Sequence, residues 1–150
     1  MFRGQYVHSI DAKGRVSLPA RLRDVVLAQG DSRLVVTPSP SDPCLHLYAL
    51  ADWAELERRI AELPRFDPHI VRFRRLYVSA AQDLELDSAS RVLVSQELRE
   101  RASLSREVLI AGMGRYVELW SKALWDRATA PLSDTEQDQF MKRVEELIRI

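Results

Sequence analysis

Apolar and polar positions along this chain follow short rhythms that change every few residues. Residues 5–10 alternate loosely and predict a strand, and Val16 and Leu18 alternate with Ser17 and Pro19 in a second short strand ended by the proline. Between them Asp11 and Arg15 enclose Ala12-Lys13-Gly14, a three-residue hairpin loop in which Gly14 supplies the positive φ of a bulge. Pro19 can open a helix, and Leu22, Val25 and Val26 recur at helical spacing until Gly30 stops it. Arg33 to Thr37 predicts another strand, Pro38-Ser39-Pro40-Ser41-Asp42-Pro43 breaks it, and Leu45 to Tyr48 pairs back. The unit so described is β–β–α–β–β.

The chain states this unit twice. Ile10-Asp11 followed by Arg15-Val16-Ser17-Leu18 and Leu22-Arg23 returns 76 residues later as Leu86-Asp87, Arg91-Val92-Leu93-Val94 and Leu98-Arg99. Leu45-His46-Leu47-Tyr48 with Trp53 returns as Val117-Glu118-Leu119-Trp120 with Trp125, now at an offset of 72. Internal repeats set the architecture. The expected organisation is repeat 1 over residues 5–51, a helical insert over 52–79, repeat 2 over 80–125 and a helical tail over 126–150. In the insert, Trp53, Leu56, Ile60 and Leu63 share a helix face after Asp52, and Asp67-Pro68 starts a second helix carrying Ile70, Phe73 and Tyr77. In the tail, Ser133-x-x-Glu136 reads as a capping box for a helix running to Ile150. Its apolar stripe of Phe140, Met141, Val144, Leu147 and Ile148 is expected to pack locally on the body.

Composition narrows the class. One unit of about 45 residues is near the lower limit for folding alone, so two copies folded against each other are expected rather than two independent beads. Hydrophobic residues at 46% and charged residues at 29% suit a soluble globular protein, and no apolar run approaches a membrane span. Arg3 and Gly4 lead straight into a folding pattern, so no signal peptide is expected, and a single cysteine, Cys44, suits a reducing cytoplasm. The net charge of zero hides an asymmetry. Residues 1–23 set Arg3, Lys13, Arg15, Arg21 and Arg23 against Asp11 alone, a net +4, whereas residues 131–150 carry −2. A basic end on a neutral chain points to a polyanion-facing surface. The loop with Lys13 and Arg15 offers cations and backbone amides to phosphate.

Catalytic chemistry finds no constellation. His8, His46 and His69 show no metal-ligand spacing and Cys44 no Cys or His partner, so no metal and no cofactor are expected, and Cys44 reads as a packed structural thiol. Phosphate loops, nucleophile elbows and zincin motifs are missing, and no enzyme is expected. Trp53, Trp120 and Trp125 read as core rather than as a stacking platform. Arg65, Arg72, Arg74 and Arg75 against Asp67 give +3 in eleven residues, which reads first as a solvated helix face, with a second phosphate contact as the alternative.

Together, Met1-Phe2-Arg3-Gly4, the loop Asp11-Ala12-Lys13-Gly14-Arg15 with Pro19 and Arg23, the second Asp87-x-x-x-Arg91, and Ala111-Gly112-Met113-Gly114-Arg115-Tyr116-Val117-Glu118-Leu119-Trp120 resemble the MraZ family. The resemblance covers Met1 to about Trp125. It implies an α+β, β-rich fold in which two AbrB-like repeats form one swapped-hairpin β-barrel within the chain. It also implies ring-shaped homo-oligomers and binding to double-stranded promoter DNA upstream of cell-division and cell-wall genes, by a cytoplasmic, nucleoid-associated protein. The family signature Asp-x-x-x-Arg falls on Asp11/Arg15 and Asp87/Arg91. From the loop alone that pair reads equally well as an ion pair closing the turn, worth about 0–1 kcal/mol. The resemblance is what makes Arg15 a DNA contact, with Lys13, Gly14, Arg3 and Arg91 beside it. In repeat 2, Ser88-Ala89-Ser90 replaces Ala12-Lys13-Gly14 and Ser95 replaces Pro19, so Arg15 and Lys13 rank above Arg91. The alternative function is an antitoxin-like interaction module built on the same barrel.

Overall fold

Two copies of one hydrophobic rhythm can bury their apolar faces on each other, and here they do so by exchanging strands. The structure is a computed structural model describing residues 1–149. Its first unit holds β1 (Gln5–Ser9), β2 (Arg15–Ser17), α1 (Ala20–Ala28), β3 (Arg33–Pro38) and β4 (Leu45–Ala49). The insert follows as α2 (Leu50–Ala61), α3 (Pro68–Phe73) and a π-helical turn (Arg74–Val78). The second unit holds β5 (Gln82–Glu85), β6 (Arg91–Leu93), α4 (Gln96–Arg101), β7 (Glu107–Gly112) and β8 (Val117–Ser121), after which come α5 (Lys122–Ala128) and α6 (Asp134–Ile148). Both units are thus β–β–α–β–β, as the repeat required.

Six strands make one antiparallel sheet in the order β1-β7-β8-β4-β3-β5, while β2 and β6 form a separate two-stranded ribbon. Each unit's first strand pairs with the other unit's third, β1 with β7 and β5 with β3. The seam β4–β8 and the ribbon β2–β6 also join the units, so only the hairpins β3–β4 and β7–β8 are internal to one. This is the swapped-hairpin arrangement, a sheet covered by a ribbon and linked to it where Ile10 bridges Val16.

Strand alternation decides what each face does. Leu34, Val36, Leu45 and Leu47 from one unit and Val108, Ile110, Val117 and Leu119 from the other share a single core. The ribbon covers it with Val16, Leu18, Val92 and Val94, and the helices with Leu22, Val26 and Leu98. At roughly 1.5–3 kcal/mol for each fully buried aliphatic side chain, this inter-unit core dominates stability. The opposite sheet face carries two smaller clusters, one of Val35, Tyr48, Trp53 and Tyr77 and one of Cys44, Leu109, Ala111 and Trp120. Trp53 and Trp120 are therefore packed, though outside the central core.

The insert is built to cover that second face. Asp67 caps α3 by accepting the His69 N–H at 2.8 Å, with Pro68 in the first turn. The helix then widens, Ser79 N bonding the Arg74 carbonyl at 2.9 Å, and the Tyr77 carbonyl accepts from Thr37 Oγ1 at 2.6 Å instead of from the helix. Two boundaries differ from expectation. β4 runs into α2 without a loop, which puts Asp52 in the first helical turn, and α5 runs across the expected 125/126 border.

α6 corrects a further expectation. Its capping box is present, with Ser133 Oγ accepting from Glu136 N at 3.2 Å, but no residue of the helix is buried. Phe140 is 51% exposed and Leu147 64%. The outer sheet face is already covered by α2, the π-helical turn and α5, and the stripe stays in solvent. Ile150, the expected last residue of this helix, lies outside the described residues. A protein ending at Ala130 should therefore melt within about 2 °C of the full chain, since about 1 kcal/mol moves the midpoint of a domain this size by roughly 2–4 °C. Circular dichroism checks this, and a fall of about 10 °C would make the helix part of the fold.

Candidate nucleic-acid interface

A three-residue loop leaves several backbone N–H groups without ladder partners, and Asp11 collects them. Its Oδ1 accepts from Lys13 N and Arg15 N, both at 2.9 Å, and its Oδ2 from Arg15 Nε at 2.7 Å. Its carbonyl accepts the Gly14 N–H at 3.0 Å, and its own N–H bonds the Arg15 carbonyl at 3.0 Å. Gly14 is buried at φ +91°, where a Cβ would stand 2.5 Å from the Val94 carbonyl oxygen. The second loop is a copy. Asp87 Oδ1 accepts from Ala89 N at 2.9 Å and Arg91 N at 2.8 Å, and Oδ2 from Arg91 Nε at 2.9 Å. There Ser90 takes φ +59°, the conformation a glycine would adopt without strain.

Two chemical consequences follow. The amides of Lys13, Gly14 and Arg15 are all bonded inside the turn, so these three are not free to meet phosphate and the loop offers chiefly side-chain charge. Buried at positive φ, Gly14 shapes the loop. Arg15, by contrast, is held through Nε, and among the described residues nothing takes its terminal Nη groups. Those are the groups that make forked contacts to phosphate. The Arg15 amide first, then its guanidinium, hold the Asp11 carboxyl down to about 2 against the opposing effect of burial. Asp87 is lowered in the same way, the Arg91 amide leading. With Arg15 and Asp11 side chains 35% and 39% exposed, the pair orients the guanidinium more than it stabilises the fold.

The ribbon places the two loops. Val16 pairs with Val92, flanked by Arg15 against Leu93 and Ser17 against Arg91. Val94 N donates to the Gly14 carbonyl at 2.9 Å, and Leu18 N to the Ser90 carbonyl at 3.0 Å. A local twofold therefore runs through Val16 and Val92, with one loop at each end.

Their surroundings are unequal. Arg99 on α4 passes over the first loop, its Nε donating to Val94 O at 3.1 Å. Its counterpart Arg23 turns to Asp24 at 3.2 Å. The carbonyl that receives the Ile10 N–H belongs to Arg106, while the one that receives Leu86 N–H belongs to Ser32. Arg33, next to Ser32, is tied to Asp31 at 2.6 Å. Among the described residues, Lys13, Arg99 and Arg106 have no carboxylate within salt-bridge distance. Glu100 lines the same depression as Ala12 and Arg99, so the first loop has cations outside salt-bridge distance of an acid rather than an acid-free surround, while Arg23 and Arg33 of the other repeat are each ion-paired. Arg3 is not part of this cluster. It precedes β1 at the end away from the loop, where Phe2 bridges Gly114, and lines a shallow depression with Arg21 and Gly4.

The profile of a family described as "MraZ protein, putative antitoxin-like" matches residues 1–76 and again 77–147. The chain belongs to the MraZ family. A protein of Marinomonas sp. named transcriptional regulator MraZ is 45% identical over 126 residues, covering 84% of this chain and 83% of that one. Another of that name, from Thiobacillus denitrificans, is 39% identical over 145 residues and covers 97% of both chains. A third, from Acidithiobacillus ferrooxidans, is 43% identical over 130 residues, covering 84% of this chain and 86% of that one. Each profile match contains one of the two β–β–α–β–β units, and the border between them falls within the π-helical turn of the insert.

Sequence reasoning gives Arg99 and Arg106 no role, although Arg99 closes the Leu-Arg end of the repeated motif; strand exchange brings Arg99 over the first loop and the Arg106 backbone beside Ile10. Arg65, Arg74 and Arg75 line an open cavity with Phe66, Val71 and Val78. Among the described residues Arg65, Arg72, Arg74 and Arg75 form no ion pair with an acid, whereas Arg58 of the same insert pairs with Glu55 at 2.8 Å and Glu62 at 2.9 Å. The expectation that Cys44 lacks a partner is corrected. His46 lies two residues on, on the same strand face, and Glu118 stands beside both. Cys44 is buried, and burial first, then the Glu118 charge, push its thiol well above the ordinary range. Among the described residues no helix is long and apolar enough to cross a membrane.

Two outcomes test the loop. Gly14→Ala should lower stability by about 2 kcal/mol or more, because the methyl meets a backbone carbonyl at positive φ, whereas Ser90→Gly should raise it by up to about 1 kcal/mol. Urea denaturation reads both. Because the folded Asp11 carboxyl is depressed to about 2, its hydrogen bonds are complete above its ordinary value of 3.8 and are lost as pH falls through the depressed one. Lys13 and Arg15 amide resonances should hold steady from about pH 7 to about pH 4 and shift only on acidification toward about pH 2.

Proposed function

We propose that this chain is a transcriptional regulator that binds double-stranded promoter DNA, with Arg15 and Lys13 of the first loop as its principal phosphate contacts. The observation carrying this is the Arg15 guanidinium, fixed through Nε by Asp11, with no partner on its terminal Nη groups among the described residues. Arg99 and Arg106 add charge to that contact, Gly14 shapes it, and Asp11 positions it. Arg91, positioned by Asp87, makes a weaker contact from the second loop, and Arg3 with Arg21 meets the backbone farther along. The names carried by its relatives support regulation of transcription, and the resemblance extends this to repression upstream of cell-division and cell-wall genes by a cytoplasmic, nucleoid-associated ring.

The twofold is used up inside the chain and its two ends differ, so subunits associate head to tail, and such contacts close into rings when the rotation permits. Neighbours then present the first loop repeatedly in one sense. The operator is therefore a set of short direct repeats spaced near one helical turn, and tethering at effective concentrations around millimolar makes weak single contacts sufficient.

Arg15→Ala should weaken binding to a multi-repeat promoter fragment at least about tenfold, in a protein that melts normally. It should also lower the salt slope by about 0.9 for each phosphate that the variant no longer neutralises. Arg91→Ala should weaken binding less. Fluorescence anisotropy across a salt series measures both, and unchanged affinity in a folded, assembled Arg15→Ala protein returns the residue to closing a turn. Inserting half a helical turn between repeats should abolish the avidity. Binding insensitive to salt favours the antitoxin-like reading.

A further inference from the structure

The sheet face away from the core holds polar groups that DNA binding does not use. At the seam, β4 and β8 pair with His46 directly opposite Glu118, and Cys44 precedes β4 by one residue on the same face. Glu118 Oε2 lies 3.5 Å from His46 Nε2 and 3.9 Å from Cys44 Sγ, and the three donor atoms all fall within 4.8 Å of one another. We propose that Cys44, His46 and Glu118 form a binding site for one divalent transition-metal ion, zinc by the chemistry of the donors.

A thiolate, an imidazole and a carboxylate are zinc's three protein ligand types, with bonds of roughly 2.0–2.3 Å, so donors around a tetrahedral ion stand about 3.3–3.8 Å apart. The His46–Glu118 separation already has that value, and the Cys44 edges need only a modest contraction. Each of the two polar ligands is held from behind. Tyr77 OH lies 2.6 Å from His46 Nδ1, which leaves Nε2 facing the cluster, and Trp120 Nε1 donates to Glu118 Oε1 at 3.0 Å, which leaves Oε2 free. Such outer partners are how proteins orient metal ligands. The Tyr77 hydroxyl is in turn 2.5 Å from that of Tyr48. His46 and Glu118 side chains are only 12% and 10% exposed, and His46 is the only basic group within salt-bridge distance of Glu118 among the described residues. Coordination exchanges the Cys44 thiol proton for the metal, the proton leaving to solvent, while His46 binds neutral and Glu118 as carboxylate. A water completes the four-coordinate shell. The ion would staple one strand of each unit at the centre of the sheet.

The test uses the full chain, stripped with a chelator and then dialysed against zinc or cobalt(II). One zinc per chain by elemental analysis, with a near-ultraviolet thiolate-to-cobalt absorption on cobalt loading, is the expected result. Cys44→Ala and His46→Leu should each weaken binding at least about 100-fold, and Tyr77→Phe about tenfold, the lower end of what an orienting group contributes. His69→Ala should change nothing. Zinc should raise the melting temperature of the wild-type chain and leave those of Cys44→Ala and His46→Leu unmoved. Metal-free melts show whether each variant folds. Less than a tenth of an equivalent of zinc in the folded chain, or equal uptake by wild type and both ligand variants, overturns the site and leaves a hydrogen-bonded packing cluster.

Discussion

Strand exchange is the constraint on which the rest of this molecule depends. A unit of this size cannot bury enough apolar surface alone, and the structure solves the problem by giving β1 to β7, β5 to β3 and β2 to β6. Val16 and Val92 at the ribbon centre then sit over a core to which both halves contribute. Removing either half would strip the partners from strands of the other. The loops inherit their placement from the same exchange, because the carbonyls of Gly14 and Ser90 are both bonded by the opposite unit.

Duplication within one chain relaxes a condition that a symmetric dimer must obey. Two identical subunits must carry identical loops, whereas here the two ends of the ribbon have diverged. Both retain the acid and the arginine, so both retain the turn. Only the first keeps the glycine and the lysine, and only the first has an arginine, Arg99, lying over it outside salt-bridge distance of any acid among the described residues. The turn and the charge around it are separable properties. Asp-x-x-x-Arg secures the first, and the neighbours recruited from the other repeat decide the second.

The repeat, the strand rhythm and the hairpin loops are legible in the residues because each is local. Asp11, Gly14 and Arg15 carry their own turn chemistry, and Ser133 and Glu136 their own cap. What stays illegible is everything that depends on which strand lies beside which. Arg3 is near the first loop in the amino-terminal charge count but is separated from it by the length of β1. Arg99 and Arg106 are remote in sequence and adjacent in space. Glu118 reaches Cys44 and His46 only across the β4–β8 seam. The Cys-x-His spacing is a weak signal until that seam supplies a third donor, although alternation alone puts both residues on one face. The stripe on α6 is a true amphipathic signal, yet periodicity cannot say whether a free surface remains to receive it.

The pairing of Gln5 with Ala111 has a consequence for how the chain is made. β1 leaves the ribosome before β7, which follows after about a hundred further residues. At synthesis rates of about 5–20 residues per second, β1 waits roughly 5–20 seconds with its edge unpaired. β2 waits nearly as long for β6. During that interval the first unit holds only its own β3–β4 hairpin and the helices after it, with Val16 and Leu18 still in water. Exchanged strands thus turn a stability solution into a delay in biosynthesis, and the nascent chain must remain soluble through it with exposed edges of the kind that seed aggregation.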